Sequence, residues 1–372
     1  MGKLSLCMIV KNEEACLEQC LRSVKDAVDE IVIADTGSTD ATKEIARRYT
    51  DRVYDVKWEN DFSLARNTSM SFAKMPFILW LDADDVIDPG ELEKLKALKN
   101  TLNDSVDAVM MPYQYAFSRD GAPALVFERE RIVRRAAGFR FEGAVHEAMA
   151  VSGHVIHADI AVRHTGRHGK ESGRRNLAVF ESMIRKGRIL SPRERYYYAR
   201  ELKNAGRYAQ AQEAFAAFLE AGGWIENRLD AYVQRGECLL ALGGRDEAKR
   251  SFLLSMAEGT PRAEAICALG KCLMEEEDWE AAVFWYRAAL LCSMREHSGA
   301  FVSPEAYGYI PLMQLCVCYD RMGDYDLAAQ MNEQALLLRP GDEAALKNRA
   351  YFSRILHGAQ SIQMKEKADG EA

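Results

Sequence analysis

The chain has 372 residues, room for two domains of ordinary size, with 48% hydrophobic and 28% charged residues, the balance of a globular protein with its own core. A net charge of −7 argues against a nucleic-acid binder, which needs a basic excess, and no apolar run approaches the length of about 18 residues that spans a membrane. Nine scattered cysteines without a C-x-x-C pair argue against a zinc site and for a reducing, cytoplasmic setting.

The first apolar run, Leu4–Val10, is too short for a signal segment. Further short runs follow at Glu30–Asp35, Arg52–Lys57 and Phe77–Asp82. Between and after them lie stretches with helical spacing: Ala15–Val24, Ala41–Tyr49, Leu64–Ala73 and Glu91–Leu98. This β-α-β-α rhythm predicts a parallel sheet covered by helices. Such sheets bind ligands at the carboxyl ends of their strands. Each unit has a polar cluster there: Lys11-Asn12-Glu13, Asp35-Thr36-Gly37-Ser38, and Asp82 to Asp85. The last is the most telling. Three like charges within four residues repel one another unless a cation sits among them, and a helix N-cap needs only one.

From Ala108 to Val162 the runs look β-like but irregular, and an antiparallel edge completing the site is expected. A basic, glycine-containing stretch, "VRHTGRHGKESGRRN" (Val162–Asn176), follows. It reads either as a solvated linker or as a loop able to close over phosphate. The second half has another period. Segments beginning at Gly206, Gly243, Glu277 and Gly323 align Ala211, Ala248, Ala282 and Ala328, spaced by 37, 34 and 46 residues. A period near 34 with paired helices is the tetratricopeptide signature. Tyr208, Trp279 and Tyr325 are expected to pack across the turns. The spacing of 46 implies an insertion within Ser293–Gly308, and the charged stretch from Gln363 is expected to fray.

The segments "LCMIVKNEEACLEQCLRSV", "EIVIADTGSTDATKEIA", "DFSLARNTSMSFA", "ILWLDADD" and "FEGAVHEAM" resemble glycosyltransferase family 2. Within it they look most like the branch holding lipooligosaccharide glucosyltransferases and bacteriocin-glycosylating enzymes, some with C-terminal tetratricopeptide repeats. The resemblance implies an α/β GT-A (Rossmann-like nucleotide-diphospho-sugar transferase) domain followed by an all-α repeat domain. The expected boundaries are 1–175 for the first, extending to about 190 through a linker helix, 191–355 for the repeats, and 356–372 for a tail. It also implies inversion at the anomeric carbon, a UDP-sugar donor and a divalent metal, Mn²⁺ or Mg²⁺.

Carried over residue by residue, the resemblance gives the following expectations. Val10 and Asn12 line a base pocket and Glu13 accepts from ribose hydroxyls, although Asn12 and Glu13 also suit a helix start. Asp35 accepts from a base N–H, and Gly37 permits the tight turn after it. Arg66 reaches a diphosphate in two-pronged fashion, against a salt bridge with an acid such as Asp61. Asp82-Ala83-Asp84 matches the D-x-D motif. Asp84 is expected as a direct ligand, Asp82 on ribose or a metal-bound water, and Asp85 as the next helix cap. His164 is a candidate extra metal or phosphate ligand. Glu147 and His146 are the candidate bases, the choice between them open. The expected activity is transfer of a hexose or N-acetylhexosamine to a peptide, protein or glycan, with the repeats holding the acceptor or making a homodimer. The rival is a non-catalytic repeat scaffold with a vestigial nucleotide-sugar domain.

Overall fold

The computed structural model describes residues 2–118, 121–166, 170–294 and 300–370. His168 of the basic stretch and residues 295–299 of the insertion lie outside them. The chain divides into two compact units, one of residues 1–117, 125–210 and 296–301, the other of residues 118–124, 211–295 and 302–372.

The first unit begins with β1 (Leu4–Val10), α1 (Leu17–Val24), β2 (Glu30–Asp35), α2 (Thr42–Arg47), β3 (Val53–Asp55), α3 (Phe62–Ser71) and β4 (Phe77–Trp80). It continues with β5 (Asp85–Val86), α4 (Pro89–Thr101), β6 (Ala108–Phe117), β7 (Pro123–Arg134), β8 (Phe141–Glu142), β9 (Ala148–Met149), β10 (Val155–His157) and β11 (Val162–His164), and ends with α5 (Lys170–Arg185) and α6 (Pro192–Asn204). Among the described residues the large sheet runs β3-β2-β1-β4-β7-β6-β11-β5, with β10 also beside β6. β1 pairs in parallel with both β2 and β4, and β2 with β3, as the alternating rhythm predicts. β7 then runs antiparallel to β4. Beyond it the expected antiparallel edge is mixed, because β10 and β11 lie parallel to β6.

Burial follows from the pattern. β1 is apolar on both faces and almost wholly buried, as a strand covered by helices on both sides requires. Leu17, Cys20, Leu21 and Val24 form the buried stripe of α1, at helical spacing. Asp61 caps α3, its Oδ1 accepting from the Leu64 N–H at 2.9 Å. β4 ends at Trp80, two residues before the acidic cluster, so Asp82 and Asp84 sit on a turn rather than on an alternating strand.

The second unit holds most of α7 (Tyr208–Ala221), then α8 (Ile225–Ala241), α9 (Arg245–Glu258), α10 (Ala263–Glu275), α11 (Trp279–Ala289), α12 (Tyr309–Arg321), α13 (Tyr325–Leu338) and α14 (Glu343–Gly370). α8 pairs with α9, α10 with α11 and α12 with α13. The four aligned alanines are fully buried. Trp279 and Tyr325 pack against the repeat core as expected, whereas Tyr208 is more than a third exposed. α14 continues through the expected tail to Gly370, because a run rich in Ala, Lys, Glu, Gln and Met without proline favours helix.

Two glycines set the distance between paired helices. A Cβ on Gly236 of α8 would meet the Phe252 ring at 2.3 Å, and one on Gly270 of α10 the Tyr286 ring at 2.9 Å. Both pairs recur at the 34-residue period. Gly236→Val is therefore expected to destabilise the second unit by roughly 1–3 kcal/mol through overpacking. A lowered urea midpoint by circular dichroism would show it, and an unchanged midpoint would refute the close-approach argument.

Candidate active site

Beyond the carboxyl ends of β1 and β4 lies a cleft of about 1070 Å³ within the first unit. Nine expected site residues line it: Val10, Glu13, Arg66, Asp82, Ala83, Asp84, His146, Glu147 and His164. Asn12, Asp35 and Gly37 do not.

Asn12 instead fastens two loops together. At φ +55° its N–H donates to Ser38 Oγ at 3.0 Å and its Oδ1 accepts from the Thr39 N–H at 2.8 Å. It does not cap α1, whose first helical residue is Leu17. Asp35 is buried behind it. One carboxylate oxygen accepts from the Gly37 and Ser38 N–H groups, both at 3.0 Å. Its Oδ2 is buried with no partner among the described residues, an acceptor left over for a ligand or a water. Gly37, at φ +105°, takes the left-handed turn that only glycine adopts freely. Glu13 has its carboxyl raised by burial and by the nearby charges of Asp84 and Asp82, against a lowering hydrogen bond from the Cys16 thiol.

The aspartates at the cleft divide their work. Asp82 Oδ1 accepts from Arg66 at 2.6 Å, and Glu147 Oε1 accepts from the same guanidinium at 2.6 Å. Arg66 is thus an ion-pair bridge between two acids, neither of them Asp61. Burial would raise the Asp82 carboxyl, but Arg66, Arg131 and Arg129 outweigh it and hold it below its ordinary value. Asp85 is not a helix cap, which is Asp88's position. It is fully buried, ion-paired with the equally buried Arg131 at 2.9 Å, and accepts from Tyr113 Oη at 2.8 Å. Trp80 backs the whole cluster, with the guanidinium carbons of Arg66, Arg129 and Arg131 at 4.7, 4.7 and 4.1 Å from its ring centroid.

Asp84, Asp85 and His164 bring one donor atom each to within 4.8 Å of one another. His164 Nδ1 lies 3.4 Å from Asp84 and 3.8 Å from Asp85. Burial lowers its pKa, but hydrogen bonds to the two carboxylates prevail and push it up to about 9. Two hard carboxylates and an imidazole suit Mn²⁺ or Mg²⁺ better than a thiolate-seeking ion. Asp82 is absent from this group because Arg66 holds it. Asp84 can be given up to a ligand more readily than Asp85, both of whose oxygens are already engaged.

His146 adopts φ +53°. Its Nε2 lies 2.6 Å from Glu201 Oε1, and its ring stacks on Tyr197 with centroids 4.2 Å apart. Lys11 of the first polar cluster and Arg175 of the basic stretch also line the cleft, as do Tyr115, Tyr197 and Glu201, which sequence reasoning did not single out. Arg175 is here part of α5. The α6 residues gave no signal, because their spacing reads as an ordinary repeat helix.

Residues 5–152 match the family model described as glycosyl transferase family 2. This stretch is a family 2 glycosyltransferase domain. Its strand order and mixed sheet are those of a GT-A-like fold. The chain is 28% identical over 305 residues to a TPR repeat-containing protein of Synechococcus elongatus, a match spanning 78% of this chain and 66% of that one. It is 30% identical over 207 residues to the SPbeta prophage-derived glycosyltransferase SunS of Bacillus subtilis, spanning 52% and 48%. It is 28% identical over 162 residues to the lipopolysaccharide core biosynthesis glycosyltransferase LpsC of Rhizobium meliloti, spanning 42% and 60%. The matches thus span between about half and two thirds of those relatives' lengths. Among the described residues no helix is long and apolar enough to cross a membrane.

The family 2 domain allows a sharp contrast between neighbouring aspartates. Asp85→Ala strands Arg131 in the core and is expected to cost about 3–5 kcal/mol, read as a lower melting temperature. Asp84→Ala, at the cleft surface, is expected to leave that temperature nearly unchanged. Equal losses would contradict the division.

Proposed function

We propose that this protein is an inverting, metal-dependent glycosyltransferase that moves a hexose or N-acetylhexosamine from a UDP-sugar to a peptide, protein or glycan acceptor. The observation that carries this reading is the meeting of Asp84, Asp85 and His164 at the cleft of a family 2 domain. Asp84 and His164 would hold a divalent ion, with Asp85, itself held by Arg131 and Tyr113, beside them. When bound, such an ion offsets the negative charge that gathers on the departing UDP. Glu13 suits the ribose hydroxyls, and the unpartnered Oδ2 of Asp35 suits a base imide N–H. Lys11 and Arg175 add positive charge where a diphosphate would lie. The base comes from the Glu147–His146 pair, which takes the acceptor's proton. The paired helices of the second unit offer a surface for an extended acceptor or a second copy. Nine free cysteines fit a cytoplasmic setting.

Two measurements test this. With Mn²⁺, UDP is expected to raise the melting temperature of the full chain, and a panel of nucleotide sugars should show UDP release from one UDP-hexose above the others. A non-catalytic scaffold would show neither. Asp84→Ala is expected to lose about 10²–10³ in kcat while remaining folded. Undiminished turnover by that variant in chelator would overturn the metal role.

A further inference from the structure

Helix α6 lies outside the matched family 2 stretch, yet one of its faces grips the turn that presents the candidate bases. Arg193, Tyr197 and Glu201 recur at intervals of four, so they share that face. Each holds His146 differently. The Arg193 guanidinium donates to the His146 carbonyl through Nε at 3.4 Å and Nη2 at 3.3 Å. The Tyr197 ring lies nearly parallel to the imidazole, 14° apart at 4.2 Å. Glu201 Oε1 meets Nε2 at 2.6 Å. The start of α6 is itself fixed by Pro192 and by a reciprocal Ser191–Glu194 capping box, which sets the register of the three residues.

The chemistry of the contact places one proton. A carboxylate can only accept, so Nε2 of His146 carries a hydrogen, and in the neutral imidazole the lone pair then lies on Nδ1. Glu201 is almost wholly buried, and the same Oε1 accepts from Asn176 Nδ2 at 3.1 Å, so the carboxylate is anchored from α5 as well. His146 keeps about a third of its side-chain surface open and lines the cleft. Glu147, in contrast, is tied to Arg66. An oriented imidazole whose far nitrogen is held by a buried acid is the arrangement that makes a base of fixed tautomer. The left-handed backbone at His146 is strained for a residue other than glycine, and the three grips from α6 oppose its relaxation.

We propose that Glu201 is the positioning residue that makes His146, rather than Glu147, the general base, and that α6 is therefore part of the transferase site. This rests on the sugar-transfer reading of the cleft. The acceptor's proton passes to Nδ1 as its hydroxyl, thiol or amine atom bonds to the anomeric carbon. The bond from that carbon to the UDP oxygen breaks, and its electron pair leaves with the diphosphate.

The test uses the full chain in two arms. In the first, UDP release from UDP-glucose with Mn²⁺ is followed in Glu201→Gln, Glu201→Ala, Tyr197→Phe and Tyr197→Ala. Both Glu201 variants and Tyr197→Ala should lose at least about 100-fold in kcat with KM and UDP affinity held within about twofold. Tyr197→Phe, which keeps the stacked ring, should recover most of the activity that Tyr197→Ala loses. In the second, ¹⁵N-histidine spectra, assigned with His146→Gln, should show the Nε2–H form of His146 in the wild type and its loss in Glu201→Ala. A working transferase whose His146 is Nδ1–H, whose His146 signal ignores Glu201, or whose kcat ignores Glu201 would overturn the dyad alone. A wild-type chain that releases UDP from no nucleotide sugar would overturn the transfer reading, and the base role with it.

Discussion

The constraint on which the first unit depends is charge balance in a buried place. Three guanidinium groups gather around Trp80, and the acids that face them come from distant parts of the chain: Asp82 and Asp85 beyond β4, and Glu147 before β9. None of these charges is tolerable alone in a low-dielectric setting. Together they fix where β4 stops, how the acidic turn leaves it, and which way the His146–Glu147 turn faces. The Tyr113 hydroxyl joins the same network through Asp85 and His164, and burial chiefly, with Asp85 adding to it, keeps that phenol from ionising. The cleft is therefore shaped by electrostatic necessity as much as by apolar packing.

That network explains which parts of the site the chain of letters revealed. Local signals survived well: the short apolar runs became β1, β2, β3 and β4 in parallel, and the polar residues after them gather at one edge. The buried alanines at a period near 34 likewise announced paired helices. What stayed hidden was long-range. Asp82, Asp84 and Asp85 are chemically identical in sequence, and their different fates depend on Arg66, His164 and Arg131, each contributed by another element. Arg66 offered a phosphate ligand or an ion pair equally well, and the structure pairs it with Asp82 and Glu147, not Asp61.

Asn12 and α6 show the same limit from two sides. Asn12 carried a functional expectation, yet its side chain and left-handed backbone serve to join the loops after β1 and β2. α6 carried none, since Arg193, Tyr197 and Glu201 look like the solvated and packed positions of any repeat helix. It groups with the first unit, although the expected repeat boundary lay near 191, and it contacts His146 and Asn176 there. Helical period predicts which residues share a face, but not what that face meets.

The matched glycine and ring pairs, Gly236 with Phe252 and Gly270 with Tyr286, bear on how such a chain can evolve. A missing methyl group at each pairing means that single-letter drift there is punished at once. Duplication of an entire helix pair carries its own gap and its own ring along, and so leaves every older joint untouched. Arrays built on this joint are freer to change in length than in spacing, and a reach matched to a longer or shorter binding partner is the trait selection can adjust most easily.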